Sequence, residues 1–138
     1  MKRFDTWPTQ LERFIELRRE TPFVWGRNDC TSFACDAVLA MTGTDLAADF
    51  RETYHDVKGA LRLLGDGDVG DLASRIALVN DIKEVPVAYA RRGDVVLINQ
   101  PELPALGIVS LSGEDIWAPG EKQIEKLPLS LAVRAWRI

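Results

Sequence analysis

Apolar residues recur at intervals of three and four through the first half of the chain, whereas short apolar runs broken by Gly, Pro and Asn fill the second half. The first pattern predicts helices and the second strands. Residues 6–20, "TWPTQLERFIELRRE", read as an amphipathic helix with Pro8 near its start and Leu11, Phe14, Ile15 and Arg18 at helical spacing; Thr21-Pro22 ends it. A second helix is predicted from about Asp29 to Met41. Asn28 or Asp29 can cap it, Gly43 can close it, and Phe33, Ala34, Ala37, Val38 and Met41 form its apolar stripe. In 44–80, "DVKGALRLLG" and "DVGDLASRIALVN" predict two short helices separated by Gly65-Asp66-Gly67. From Ile82 the segments "IKEVPVA", "GDVVLIN", "LGIVSLS", "EDIWA", "KQIEKL" and "AVRAWRI" read as strands. Helices first and strands afterwards imply an α+β fold, with the N-terminal helices packed on a mostly antiparallel sheet or small open barrel.

Composition narrows the functions. A chain of 138 residues, 46% hydrophobic and 28% charged, is the size of one domain, and one domain over 1–138 is expected. The net charge of -4 argues against nucleic acid or anionic lipid as a partner, and Arg18-Arg19 and Arg91-Arg92 are too short to count as basic patches. No run approaches the roughly 18 to 20 apolar residues of a membrane span, and "MKRFDTWPTQLERF" lacks the apolar stretch of a signal peptide, so synthesis in a bacterial cytoplasm is expected. Cys30 and Cys35 on one helix would point about 140° apart, a poor geometry for a disulfide. Two thiols and one histidine, His55, fall short of a metal site, and no cofactor is expected.

The candidate chemistry centres on Cys30. A thiol in the first turn of a helix lies near the positive end of the helix dipole and near unpaired N–H groups, which favour the thiolate. The competing reading, that Cys30 is a small buried hydrophobe, stays open. A thiol nucleophile needs a base, and His55, in "RETYHDVKGA", is the one histidine available; a solvated surface role is the alternative. Asp29 is a polar candidate beside the thiol and also a natural helix cap, and Asp94 belongs to the turn "RRGDVV". "GDGDVGD" lacks the downstream Glu of a calcium loop and reads as a loop followed by a helix cap. Trp25, Trp117 and Trp136 read as core or as groove-lining residues, and Trp7, beside Pro8, as an exposed contact residue.

Two segments together resemble the NlpC-type, papain-like cysteine peptidases. "FVWGRNDCTSFACDAVLAMTG" is similar to that family's nucleophile helix, and "RRGDVVLINQPELPALGIVSLSGEDIWAPG" to its later core of Gly-Asp turn, His-x-Gly-Ile strand and third polar strand. The resemblance implies a papain-like fold with a helical insert at about 44–80. It places Cys30 at the nucleophile, Asp29 just before it, Gly93-Asp94 at the turn, and Gly107-Ile108 at the Gly-Ile of the second strand. Ala105 then stands where the base histidine belongs, and Trp117 or a neighbour where the orienting residue belongs. Alanine cannot take the thiol proton or protonate a leaving amine, so a degenerate site with a vestigial Cys30 is expected.

The Trp-Gly-x-x-Asp-Cys start, the Gly-Asp-Val-Val turn, the Leu-Gly-Ile strand and the closing Ala-Trp-Arg resemble more narrowly a phage-encoded branch of this superfamily. That resemblance implies a tail-tip or tail-assembly protein of a phage or prophage, residing in the virion tail after assembly. Its partners would be tail hub, tape-measure or baseplate proteins. Peptidoglycan is the further ligand considered, either as the substrate of an active thiol peptidase or amidase or as the target of a binding module.

Overall fold

The helical half folds as its apolar spacing dictates. In the computed structural model, which describes residues 1–100 and 104–138, α1 spans Trp7–Arg18 and α2 Cys30–Thr42, α3 Val57–Leu64 and α4 Val69–Val79. Asp29 caps α2 through the Ser32 N–H, and Gly43 closes it in the left-handed conformation. Asn28, the other capping candidate, instead pins the preceding loop to α1. Its amide donates to the carbonyls of Thr21 and Pro22 and accepts from Arg18. The "GDGDVGD" segment supplies a loop and then a reciprocal capping box, with Asp68 and Asp71 each accepting the other's backbone N–H at the start of α4. Pro101, Glu102 and Leu103, within the segment likened to the peptidase core, lie outside the described residues.

The strand half forms one six-stranded antiparallel open sheet from β1 (Glu84–Val85), β2 (Val95–Ile98), β3 (Ala105–Val109), β4 (Asp115–Pro119), β5 (Ile124–Pro128) and β6 (Ala132–Trp136), in the order β1-β6-β2-β3-β4-β5. Strand alternation divides it cleanly. Val95, Leu97, Leu106, Ile108 and Trp136 face the helices and join Leu11, Ile15, Phe33, Val38 and Met41 in the main core. Val96, Ile98, Val109, Ile116 and Ala135 face the other way into a second cluster, where Val85 of one edge strand and Leu127 of the other also pack. β2 and β3 are therefore apolar on both faces, which explains the unbroken runs "VVLI" and "LGIV". Gly107 is required there: a Cβ would stand 2.5 Å from Ile116 Cγ2 and 3.0 Å from Ile98 Cδ1. No described helix is long and apolar enough to cross a membrane.

Trp7 departs from the expectation of an exposed contact residue. It is half-buried against the main core, with the Arg3 guanidinium 4.1 Å from its ring centroid, because the chain before α1 folds back over it. That fold-back depends on Asp94, which is fully buried. Its carboxylate accepts from Arg3 Nη2 (3.1 Å), Arg137 Nε (3.2 Å), and the backbone N–H groups of Arg91 (3.1 Å) and Ile138 (3.1 Å). A buried carboxylate so surrounded is stable only while its partners remain, and removing one side of such a pair is costly. Asp94→Ala is expected to destabilise the fold by about 3–5 kcal/mol in urea unfolding. A loss below about 1 kcal/mol would show the anchor to be dispensable.

Candidate functional site

The site is built where the capped start of α2 meets β3. Cys30 is the first residue of α2 and half-buried; its thiol meets the backbone of Leu106 on β3 and lies 4.0 Å from Thr31 Oγ1. Helix position and the adjacent backbone N–H favour a thiolate, but burial outweighs them. Burial pushes the thiol's pKa up, and the neighbouring Asp29 carboxylate adds to that rise by like-charge repulsion. The local expectation of a thiolate-favouring environment is thus overturned by desolvation. Cys35 faces the core, and burial pushes its pKa up to about 12.

Asp29 is occupied as a structural group. Oδ1 accepts the Ser32 N–H (2.8 Å), and Oδ2 accepts the Gly26 N–H (2.8 Å) and the Tyr54 hydroxyl (2.5 Å). With three donors on a buried carboxylate, it holds the loop, the helix start and the 44–56 segment together. Tyr54 is the residue that sequence reasoning missed. Its phenol is pushed well above its ordinary pKa, first by burial and then by donation to Asp29, so it stays a neutral donor. A tyrosine 25 residues from its acceptor leaves no local periodic trace.

His55 follows Tyr54 and reaches the rim of the same loop, but as an exposed residue whose ring makes no hydrogen bond among the described residues. The backbone there passes directly over Gly26, where a Cβ would stand 2.0 Å from the Tyr54 carbonyl oxygen. The glycine of "VWGRNDC" is therefore demanded both by this approach and by its φ of +80°. Trp25 packs half-buried in a small third cluster with Tyr54, Phe50 and Cys35, its ring edge-on to Phe23.

On the sheet side, Ala105 opens β3 opposite Ile98, one residue before the Leu106 backbone that meets the thiol. Trp117 on β4 pairs with Ile108 and packs half-buried on the main core, as Ile124 does on β5. Cys30 packs at the edge of the same core and meets the Leu106 backbone, Thr31 and the Asp29 carboxylate. Among the described residues, no three His, Cys, Asp or Glu side chains gather as a metal site.

This arrangement, a capped helix presenting a cysteine to an antiparallel sheet, defines an α+β fold of the NlpC/p60 class. The chain is similar to the crystal structure of the NlpC/p60 domain of the peptidoglycan hydrolase SagA, with a TM-score of 0.58 over 95% of this chain and 98% of that one. Sequence identity is 17%, so the likeness concerns the fold. The chain belongs to the family described as a domain of unknown function (DUF6950), whose model matches residues 2–138. No curated protein matches it.

Two outcomes check this geometry. Tyr54→Phe deletes a hydrogen bond to a buried carboxylate and is expected to cost about 2 kcal/mol in urea unfolding. Because the Cys30 pKa is raised, its thiol is expected to alkylate at pH 7 at least about tenfold more slowly than in the urea-unfolded chain. The rate should go on rising with pH past the ordinary cysteine pKa of ~8.5, and a plateau reached below pH 8 would contradict the raised value.

Proposed function

We propose that the protein is a tail-tip or tail-assembly component of a phage or prophage, built on an NlpC/p60-like fold whose peptidase machinery is degenerate. The observation that carries the degenerate reading is that β3 meets Cys30 through the Leu106 backbone, with Ala105 beside it and no imidazole on the strand. Acyl transfer to a peptide requires a group that removes the thiol proton and later protonates the departing nitrogen. Neither Ala105 nor the Leu106 backbone does this, and Asp29 is committed to three donors. Loss of a triad base typically costs several orders of magnitude in rate. The tail role is supported by the likeness of "WGRNDC", "GDVV", "LGI" and "AWR" to the phage-encoded branch.

The alternative, a thiol hydrolase acting on peptidoglycan, draws on the placement of Cys30 at a helix start beside a backbone N–H. Purified protein and its Cys30→Ala variant are expected to release soluble fragments from peptidoglycan at the same background rate. Clearance by the native protein that Cys30→Ala abolishes would establish the hydrolase instead. For the tail role, the protein is expected to co-purify with hub or tape-measure proteins and to be present in washed virions. Its recovery solely as free protein in lysate would contradict that assignment.

A further inference from the structure

Asp94 draws together more positive charge than it neutralises. Each of its oxygens already accepts two donors: Arg3 Nη2 and the Ile138 N–H on Oδ1, Arg137 Nε and the Arg91 N–H on Oδ2. A carboxylate so surrounded has its acceptor capacity filled. The turn it closes carries Arg91 and Arg92, both exposed, and their guanidiniums make no hydrogen bond or ion pair among the described residues. Glu114 follows the Gly113 against which the Arg92 stem lies, and it forms no ion pair among the described residues either.

The four guanidiniums are held close by the backbone beneath them. Gly93 has a φ of +83°, and a Cβ there would stand 3.0 Å from Arg3 Nη1, so Arg3 lies against the turn because residue 93 is glycine. Arg3 Nη1 donates to the Arg92 carbonyl (2.8 Å) and Arg137 Nη2 to the Tyr89 carbonyl (2.7 Å). The Arg3 and Arg92 guanidiniums share the Trp7 ring, at 4.1 and 5.3 Å from its centroid. Burial lowers the pKa of Arg3, Asp94 opposes that, and repulsion from Arg91, Arg137 and Arg92 lowers it again, with Arg91 contributing most of the three. Four guanidiniums around one carboxylate leave positive charge unneutralised at this corner of the fold.

The unneutralised charge defines the ligand. A guanidinium's planar fork of N–H donors fits phosphate and carboxylate oxygens, and an anion placed among like charges held together by the fold relieves their repulsion. A doubly charged group meets the two unpartnered guanidiniums, Arg91 and Arg92, one for one, whereas a single carboxylate leaves one of them unmatched. A long polyanion is disfavoured, because the net charge of -4 repels it at a distance and the cluster offers few contacts along a backbone. We propose that Arg91 and Arg92, backed by Arg3 and Arg137, form a binding site for the dianion of a phosphate monoester. The monoester belongs either to a small molecule or to a phosphorylated protein side chain, two sources of one chemistry that different probes separate.

The test is an NMR titration of the isotope-labelled full chain at constant ionic strength and about pH 7, where a phosphate monoester is mostly dianionic. Methyl phosphate is expected to shift the Arg91 and Arg92 side-chain N–H signals and the amides of the turn saturably, with a Kd of roughly 0.1–1 mM. Dimethyl phosphate and acetate, both monoanions, are expected to bind at least about tenfold more weakly. R91A/R92A should abolish the saturable shifts while its amide spectrum and thermal unfolding stay native-like. R91K/R92K, which keeps the charge and loses the planar fork, should bind several-fold more weakly than the native chain. A phosphoserine peptide that binds no better than methyl phosphate identifies a small molecule as the source, and one bound at least about tenfold more tightly identifies a phosphorylated protein. Shifts that stay linear to about 20 mM methyl phosphate, equal binding of acetate, or saturation that survives R91A/R92A would overturn the proposal. So would a single-stranded oligonucleotide bound more tightly, per phosphate, than methyl phosphate.

Discussion

A single buried carboxylate holds the two halves of this molecule in register. Asp94 stands at the start of the central strand β2, and its oxygens gather a guanidinium from the segment before α1, a guanidinium and an N–H from the segment after β6, and the N–H that closes its own turn. An ionised group is tolerated at zero exposure because all its near partners are donors, two of them cationic. With the lead-in to α1 fixed, Arg3 is laid over Trp7, and α1 can close on α2. α2 in turn presents Cys30 to β3. The placement of the candidate site is thus set partly by an ion cluster on another element.

At that site, competing influences on one thiol can be ranked. The helix start and the Leu106 backbone lower its pKa, and burial and Asp29 raise it; burial is the largest. A carboxylate beside a cysteine is useful to an enzyme only where a cation or imidazole offsets it. Here the Asp29 carboxylate is turned to holding Gly26, Ser32 and Tyr54. Its role as an architectural pin is fully expressed in the geometry, and the strand that meets the Cys30 thiol through the Leu106 backbone is Ala105–Val109.

The helices and strands were legible because their signals are local. Asp29 and Gly43 bracket α2, the Asp68 and Asp71 pair marks the start of α4, and the short Val- and Ile-rich runs mark the strands. The site was legible as far as Cys30, Asp29 and Gly26, which are neighbours in sequence. What escaped reading are pairings across the chain. Tyr54 reaches Asp29 over 25 residues, and Arg3 reaches Asp94 over 91. Such contacts depend on how elements pack, and no period in the sequence records them. Trp7 looked exposed for the same reason, since the arginine that covers it owes its position to Asp94.

The hydrogen bond from Arg3 Nε to the Ile138 carbonyl, at 2.8 Å, joins residues 135 positions apart. A polypeptide entering this fold near residue 3 leaves it almost where it came in. Such a fold has the geometry of a cassette. It can be set into a surface turn of a larger protein with little displacement of the flanking chain, and duplicated copies can be strung as beads from one side of a scaffold.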